Sequence, residues 1–325
     1  MSGTITSLYD RWGRRPPAAG AAVMATGIVS VGLDLTGYDT LSLIALATAS
    51  LAWALLAADF TARLLWDRKR WLAEAGTPGA LTAVAATAVL GTRFSAMGRH
   101  TLAGALLALA VLWWPVLLVD VVRHRRDRMP GSVFLCTVAT QALAALGATL
   151  ARAQGLAWLA HAALVVFWLG LGLYAFALAH FDFREIATGA GDHWVAAGGL
   201  STSALAGAKL LSADDTGLRL WNADDTGVLR TVTAALLVLA LCWYAVLLAA
   251  EAAWPRPRYD VRRWATVFPM GMMAVAASSA ATAADLPWAR RSEHGLLWVA
   301  VAVWTAVAVG AVASALGAIR STAPR

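Results

Sequence analysis

The residues of this chain whose types could do chemistry are two neighbours in an apolar run, Phe268 and Pro269. They sit in Arg263-Trp264-Ala265-Thr266-Val267-Phe268-Pro269-Met270-Gly271-Met272-Met273-Ala274-Val275-Ala276-Ala277-Ser278-Ser279. A proline inside a helix removes a backbone hydrogen bond and bends the chain. In lipid the freed carbonyl needs another partner, and a water-lined cavity can supply one. Small residues and hydroxyls follow, where a lipid-facing helix would carry Leu and Ile. An uncharged ring at such a bend can fill a narrow passage and stop ions by dewetting. The chemistry suggested is permeation and its blockage. An aromatic beside a proline also serves plain packing, and the surrounding helices must decide between the two.

Other chemistry finds little support. There is no phosphate-binding Gly loop, no HExxH, no Cys cluster and no Ser-His-Asp pattern, so neither an enzyme, a cofactor nor a metal site is expected. Gly170-Leu171-Gly172 lies in an apolar run and reads as packing. Cys136 and Cys242 lie in apolar runs and read as small buried hydrophobes. A proton-coupled carrier usually needs a carboxylate or His inside the membrane. His161 and His180 fall near the ends of one predicted helix, and Lys209 near the outer end of another. A binding site made of fixed charge is therefore not visible. Ala-Asp-Asp-Thr-Gly occurs at 213–217 and 223–227, with a spacing that matches no known calcium loop, and reads as a solvated turn. Asp59, Asp120, Asp182 and Glu251 end predicted helices, the first three close to Arg63, Arg123 and Arg184, which suggests helix-end salt bridges.

The elements that position these residues follow from composition. The 325 residues are 60% hydrophobic and 14% charged, against about 25% charged in soluble domains. Apolar runs long enough to cross a ~30 Å hydrocarbon core recur throughout. They predict an all-α polytopic membrane protein, one domain over 1–325, with ten transmembrane helices at about 17–35, 41–62, 77–93, 101–121, 132–151, 156–180, 193–211, 228–250, 264–284 and 295–318. Eighteen of the 26 Lys and Arg fall on one side of that scheme. The positive-inside rule makes that side cytoplasmic, with both termini inside, in the inner (plasma) membrane of the cell. The net charge of +7 then reflects topology and the lipid bilayer as partner, with no nucleic acid implied.

The odd-numbered helices resemble one another. Small-plus-hydroxyl pairs end at Thr26, Thr87, Thr140, Thr202 and Ser278. Pro17, Pro78 and Pro269 each lie nine residues before the hydroxyl, and Pro130 ten before. The even helices are richer in Leu, Val and Trp. Five repeats of a hairpin imply a pseudo-five-fold bundle, with the Pro-bent odd helices around a central pore and the even helices outside. On that scheme Thr26, Thr87, Thr140, Thr202 and Ser278 line the pore, Pro17, Pro78, Pro130 and Pro269 bend its walls, and Phe268 plugs it. Tight packing of small residues is the plain alternative. The N-termini of the odd helices converge on the cytoplasmic mouth, and with the basic loops they predict an electropositive vestibule.

Three stretches carry a family likeness. Pro17 through Val23-Met24-Ala25-Thr26-Gly27-Ile28 resembles the first helix of the tellurite-resistance/dicarboxylate transporter family, which includes TehA-like proteins and the plant slow anion channels. Asp192-His193-Trp194-Val195 with Gly199-Leu200 is similar to that family's seventh helix, and Trp264-Ala265-Thr266-Val267-Phe268-Pro269-Met270-Gly271 to its ninth. The resemblance implies ten helices in five hairpins, a pore in each protomer, a homotrimer, and a ninth-helix Phe that occludes the pore. It also implies transport of chloride, nitrate, malate or other C4-dicarboxylates, sulfite or tellurite. The chain departs from the family in carrying Ala18, Ala19, Ala21 and Ala22 where aromatics are common, and Ala25 where a Gly is usual. The expected function is passive anion permeation. A coupled dicarboxylate, sulfite or tellurite exporter, and a membrane enzyme or receptor without flux, are the alternatives.

Overall fold

The computed structural model describes residues 20–123, 127–215, 223–256 and 259–320. Among these are ten long helices: α1 (Gly20–Leu35), α2 (Asp39–Trp66), α3 (Leu81–Ala96), α4 (His100–Arg123), α5 (Leu135–Gln154), α6 (Ala157–His180), α7 (Val195–Ala213), α8 (Ala223–Ala253), α9 (Trp264–Ala283) and α10 (Pro287–Arg320). Seven of them (α2, α4, α5, α6, α8, α9 and α10) are long and apolar enough to cross a membrane, and α1 is a shorter apolar helix. Four even helices (α2, α4, α8 and α10) exceed the expected bounds because their end turns carry charged residues or His, which an apolar run excludes. α8 thus begins at Ala223. The second Ala-Asp-Asp-Thr-Gly is therefore its first turn and not a loop.

Each odd helix packs against the next, and α9 returns to α1, so α1, α3, α5, α7 and α9 close a ring. Each even helix packs against the odd helix before it in sequence, outside the ring. Burial follows this division. The apolar window of α5 is 94% buried, whereas those of α2 and α10 are 17% and 11% buried. The outer faces expose large apolar side chains such as Leu51, Leu112, Val165 and Val309, as a lipid-facing surface requires. Cys242 belongs to this exposed surface, contrary to expectation, while Cys136 is buried.

Small residues let the ring close. A Cβ on Gly271 of α9 would stand 2.8 Å from Ile28 Cγ2 of α1, so at that seam only glycine admits the neighbouring side chain. The ring is also tied from outside. The indole N–H of Trp304 on α10 donates to Thr26 Oγ1 at 3.0 Å, joining the last helix to the first. In the last turn of α3, Arg93 pairs with Asp34 at 2.8 Å and donates to Ser42 Oγ at 3.1 Å. Ser42 and Ser30 exchange further hydrogen bonds between α2 and α1.

The prolines do not share one role. Pro78 opens the 3₁₀ turn before α3, and Pro130 caps the one before α5. Both lie where a missing N–H costs nothing. Of the prolines in described odd helices, Pro269 alone lies inside one. The expected bend at each proline is corrected accordingly; Pro17 falls outside the described residues.

Candidate functional site

The odd helices carry a common stripe, spaced to repeat at about 3.6 residues per turn. On α1 it holds Ile28 and Val31, on α3 Val89 and Thr92, and on α5 Ala142 and Ala145. On α7 it holds Thr202, Leu205 and Lys209, and on α9 Met272 and Val275. Together these residues line a cavity of about 20 Å³ at the centre of the ring. That is room for about one water-sized body.

One turn from Met272 toward the N-terminus of α9, the same face carries Phe268, which is 1% exposed. Its ring lies against α7 at Gly198, itself one turn before Thr202. A Cβ on Gly198 would stand 3.3 Å from Phe268 Cε1 and 3.0 Å from Pro269 Cγ. The absent side chain of Gly198 is what admits the ring between α9 and α7. Pro269 leaves α9 without one amide donor at this level.

The hydroxyls expected around the pore divide. Thr202 lines the cavity. Thr26, Thr87 and Thr140 do not, because they lie two residues off the stripe, on the opposite face. Each donates to the carbonyl four residues back and accepts an indole N–H from an even helix. Trp53 reaches Thr87 at 2.8 Å, Trp114 reaches Thr140 at 2.9 Å, and Trp304 reaches Thr26. These three threonines bind the outer layer to the ring, which corrects their expected place. Ser278 lies three residues past Val275, at the far end of α9, and is not among the residues lining the cavity. Gly198 and Lys209 were missed, although stepping by helical turns from Phe268 and from Thr202 would have pointed to their faces.

A family model described as voltage-dependent anion channel (SLAC1) matches residues 14–312. The chain belongs to this family. No curated protein matches it. Membership makes the chain a multi-pass membrane protein of anion transport, as a channel or transporter.

At the N-terminal ends of the odd helices, this channel-family chain is locked by charge. Glu251, at the end of α8, pairs with Arg263 at 2.7 Å and with Arg256 at 3.4 Å. Arg256 also donates to Ile186 O at 3.0 Å and to His193 Nε2 at 3.2 Å. A guanidinium can only donate, so His193 must accept there as a neutral ring. Burial first, and then the Arg256 charge, push His193 down to about 4. Burial raises Asp192 and Glu185, although Glu185 accepts the Gly131 amide at 2.9 Å. Asp260 caps the turn before α9 through the Arg262 amide and pairs with its guanidinium. Arg63 pairs with Asp59 at 2.7 Å as expected, whereas Asp182 takes the Arg184 amide instead of its guanidinium. Several basic groups of the expected vestibule are thus engaged by carboxylates, which weakens its positive field.

A larger cavity of about 210 Å³ lies off the ring at this end, between α2, α3 and α4. Phe60 meets Trp71 and Trp113 edge-on there, and the two indoles meet each other at a tilt. Thr87 faces this side space, in keeping with its outward bond to Trp53.

Proposed function

We propose that this chain is an anion channel or facilitator of the cytoplasmic membrane, passing anions passively through the five-helix ring, with Phe268 as the plug. The observation that carries the proposal is the position of Phe268 against Gly198, one turn from a cavity that all five odd helices line. An uncharged ring there closes the path by excluding water, and small motions of it would admit ions. In this occluded form the cavity suits one small inorganic anion, such as chloride or nitrate, better than a four-carbon dicarboxylate, sulfite or tellurite.

All ten helices cross the membrane in this reading. Both termini are cytoplasmic, and the protomers assemble as a homotrimer through their exposed outer helices. The test of mechanism is flux in proteoliposomes, with and without a proton gradient. Chloride or nitrate flux that needs no gradient is expected. Flux that appears only under a proton gradient would replace the channel with a coupled exporter.

A further inference from the structure

The cavity of about 210 Å³ beside the ring takes no part in the proposed anion path. It lies against α3 and the start of α1, between the outer helices α2 and α4, which do not pack closely on each other. Its wall includes Thr61 of α2 and Leu109 of α4, both exposed on the outer surface of the molecule, so the space opens sideways toward lipid. From Trp53 to Arg63, the first and last residues of α2 in that wall, the helix rises about 15 Å. That is half of a ~30 Å hydrocarbon core, the depth of one leaflet.

The two ends of the space differ in polarity. Toward Trp53 the wall is apolar, with Leu56, Leu109 and Trp113, and the uncharged polar groups nearby are committed. The Trp53 indole donates to Thr87 Oγ1 at 2.8 Å, Thr87 Oγ1 donates to Ala83 O at 2.7 Å, and Thr82 Oγ1 donates to Gly79 O at 2.7 Å. Water finds few partners there, and an apolar cavity takes an apolar guest. At the other end Arg63 pairs with Asp59 at 2.7 Å, and the short helix Arg68–Ala75 that follows α2 adds Trp71 and Ala75 to the wall. Arg68 lies three residues before Trp71, on the same helical face. Arg68 and Lys69 are exposed, and among the described residues no carboxylate pairs with either. The neighbouring Asp67 is engaged in an interaction of its own. Trp66, 82% exposed beside them, marks the membrane–water boundary, where tryptophan is favoured.

We propose that this cavity binds an anionic phospholipid of the cytoplasmic leaflet, with one acyl chain between α2, α3 and α4 and the phosphate held by Arg68 and Lys69. The choice of leaflet rests on the topology proposed above; the site itself does not depend on the Phe268 plug. The acyl chain supplies the contacts that an empty apolar space forfeits. The two cations stand at the level of the headgroups, where basic clusters beside a transmembrane helix attract acidic lipid. Once seated, the chain lies against two ring helices, α3 at Val84 and Thr87 and α1 at Val23. Bound lipid thereby braces the ring from outside, at the level of the Trp53–Thr87 bond.

The test is native mass spectrometry of the full chain in detergent, with phosphatidylglycerol or phosphatidylcholine of equal acyl length as the probe. The wild type should retain phosphatidylglycerol roughly ten-fold better than phosphatidylcholine. That preference should fall close to one in Arg68→Gln/Lys69→Gln, whose exposed positions leave the fold intact. Ala57→Phe fills the cavity and keeps both cations, and it should lower retention of both lipids several-fold. Phosphatidylglycerol should also raise the Tm of the wild type more than phosphatidylcholine does, and not that of the double Gln variant. Equal retention of the two lipids by the wild type, or an unchanged preference in the double Gln variant, would overturn the proposal. So would full retention by a folded Ala57→Phe protein, which would put the acyl chain outside the cavity. Absence of any retained lipid, the result expected if a second copy of the chain covers the cavity, would overturn it as well. The readout is binding and not flux, so this site and the Phe268 plug fail separately.

Discussion

Phe268 occupies the space that a side chain on Gly198 would need, with its Cε1 3.3 Å from the position of that missing Cβ. The same Cβ would stand 3.0 Å from Pro269 Cγ. The pyrrolidine is fixed within α9, whereas the phenyl ring turns about two bonds. A methyl group at 198 therefore displaces the ring first. Gly198→Ala should raise basal anion flux several-fold while leaving the protein folded, as liposome flux and gel filtration would record. Unchanged flux in a folded variant would mean that the ring does not depend on this gap.

The three Trp–Thr bonds make a prediction that separates outward-facing threonines from pore-lining ones. Replacing Thr140 with Val keeps the shape and removes the acceptor for Trp114. The indole N–H is then left unpaired beside the ring, at a cost of roughly 1–3 kcal/mol. A lower Tm in detergent is expected. Flux measured in the Phe268→Ala background should stay within about two-fold, because a change confined to the outer layer adds no charge to the path. A large change in ion selectivity would put Thr140 back in the pore.

Arg93 is 5% exposed at its side chain, and its partner Asp34 is 28% exposed. Removing the carboxylate strands a buried guanidinium, whereas removing the guanidinium leaves a carboxylate that water can reach. Asp34→Asn should therefore lower the Tm more than Arg93→Met, with the former approaching the roughly 3–5 kcal/mol of a broken buried pair. Thermal unfolding of the two variants checks the order.

The His193–Arg256 bond gives a pH dependence with a defined sign. The folded chain holds His193 at about 4, below the ordinary 6.5. The unfolded chain takes up the proton first as pH falls. The neutral ring therefore contributes stability that is complete above about 6.5 and is lost as pH drops from there toward 4. Asn at 193 can still accept from Arg256 and does not titrate. The Tm of the wild type should fall relative to that of His193→Asn across this window. A constant difference would show that His193 is not held neutral.

Much of this arrangement was legible in the sequence, because apolar runs and their alternation are properties of composition. Small residues in α1, α3, α5, α7 and α9, against Leu, Val and Trp between them, signalled the ring and its outer layer. The positions facing the centre were harder to see. Thr26, Thr87 and Thr140 were aligned by their distance from a proline, but Pro78 and Pro130 start their helices while Pro269 sits within one. Distance from a proline therefore did not fix a helical face. Thr202 reached the cavity because it falls on the stripe shared with Leu205 and Lys209. Lys209 looked peripheral because it lies late in its helix. Depth along a helix says little about which way a side chain turns.

The most direct measurement of the central claim is anion flux through wild type and Phe268→Ala, side by side in proteoliposomes without a pH gradient. The account predicts little chloride or nitrate flux in the wild type and large flux in the variant. A folded Phe268→Ala protein with flux no greater than the wild type would contradict it.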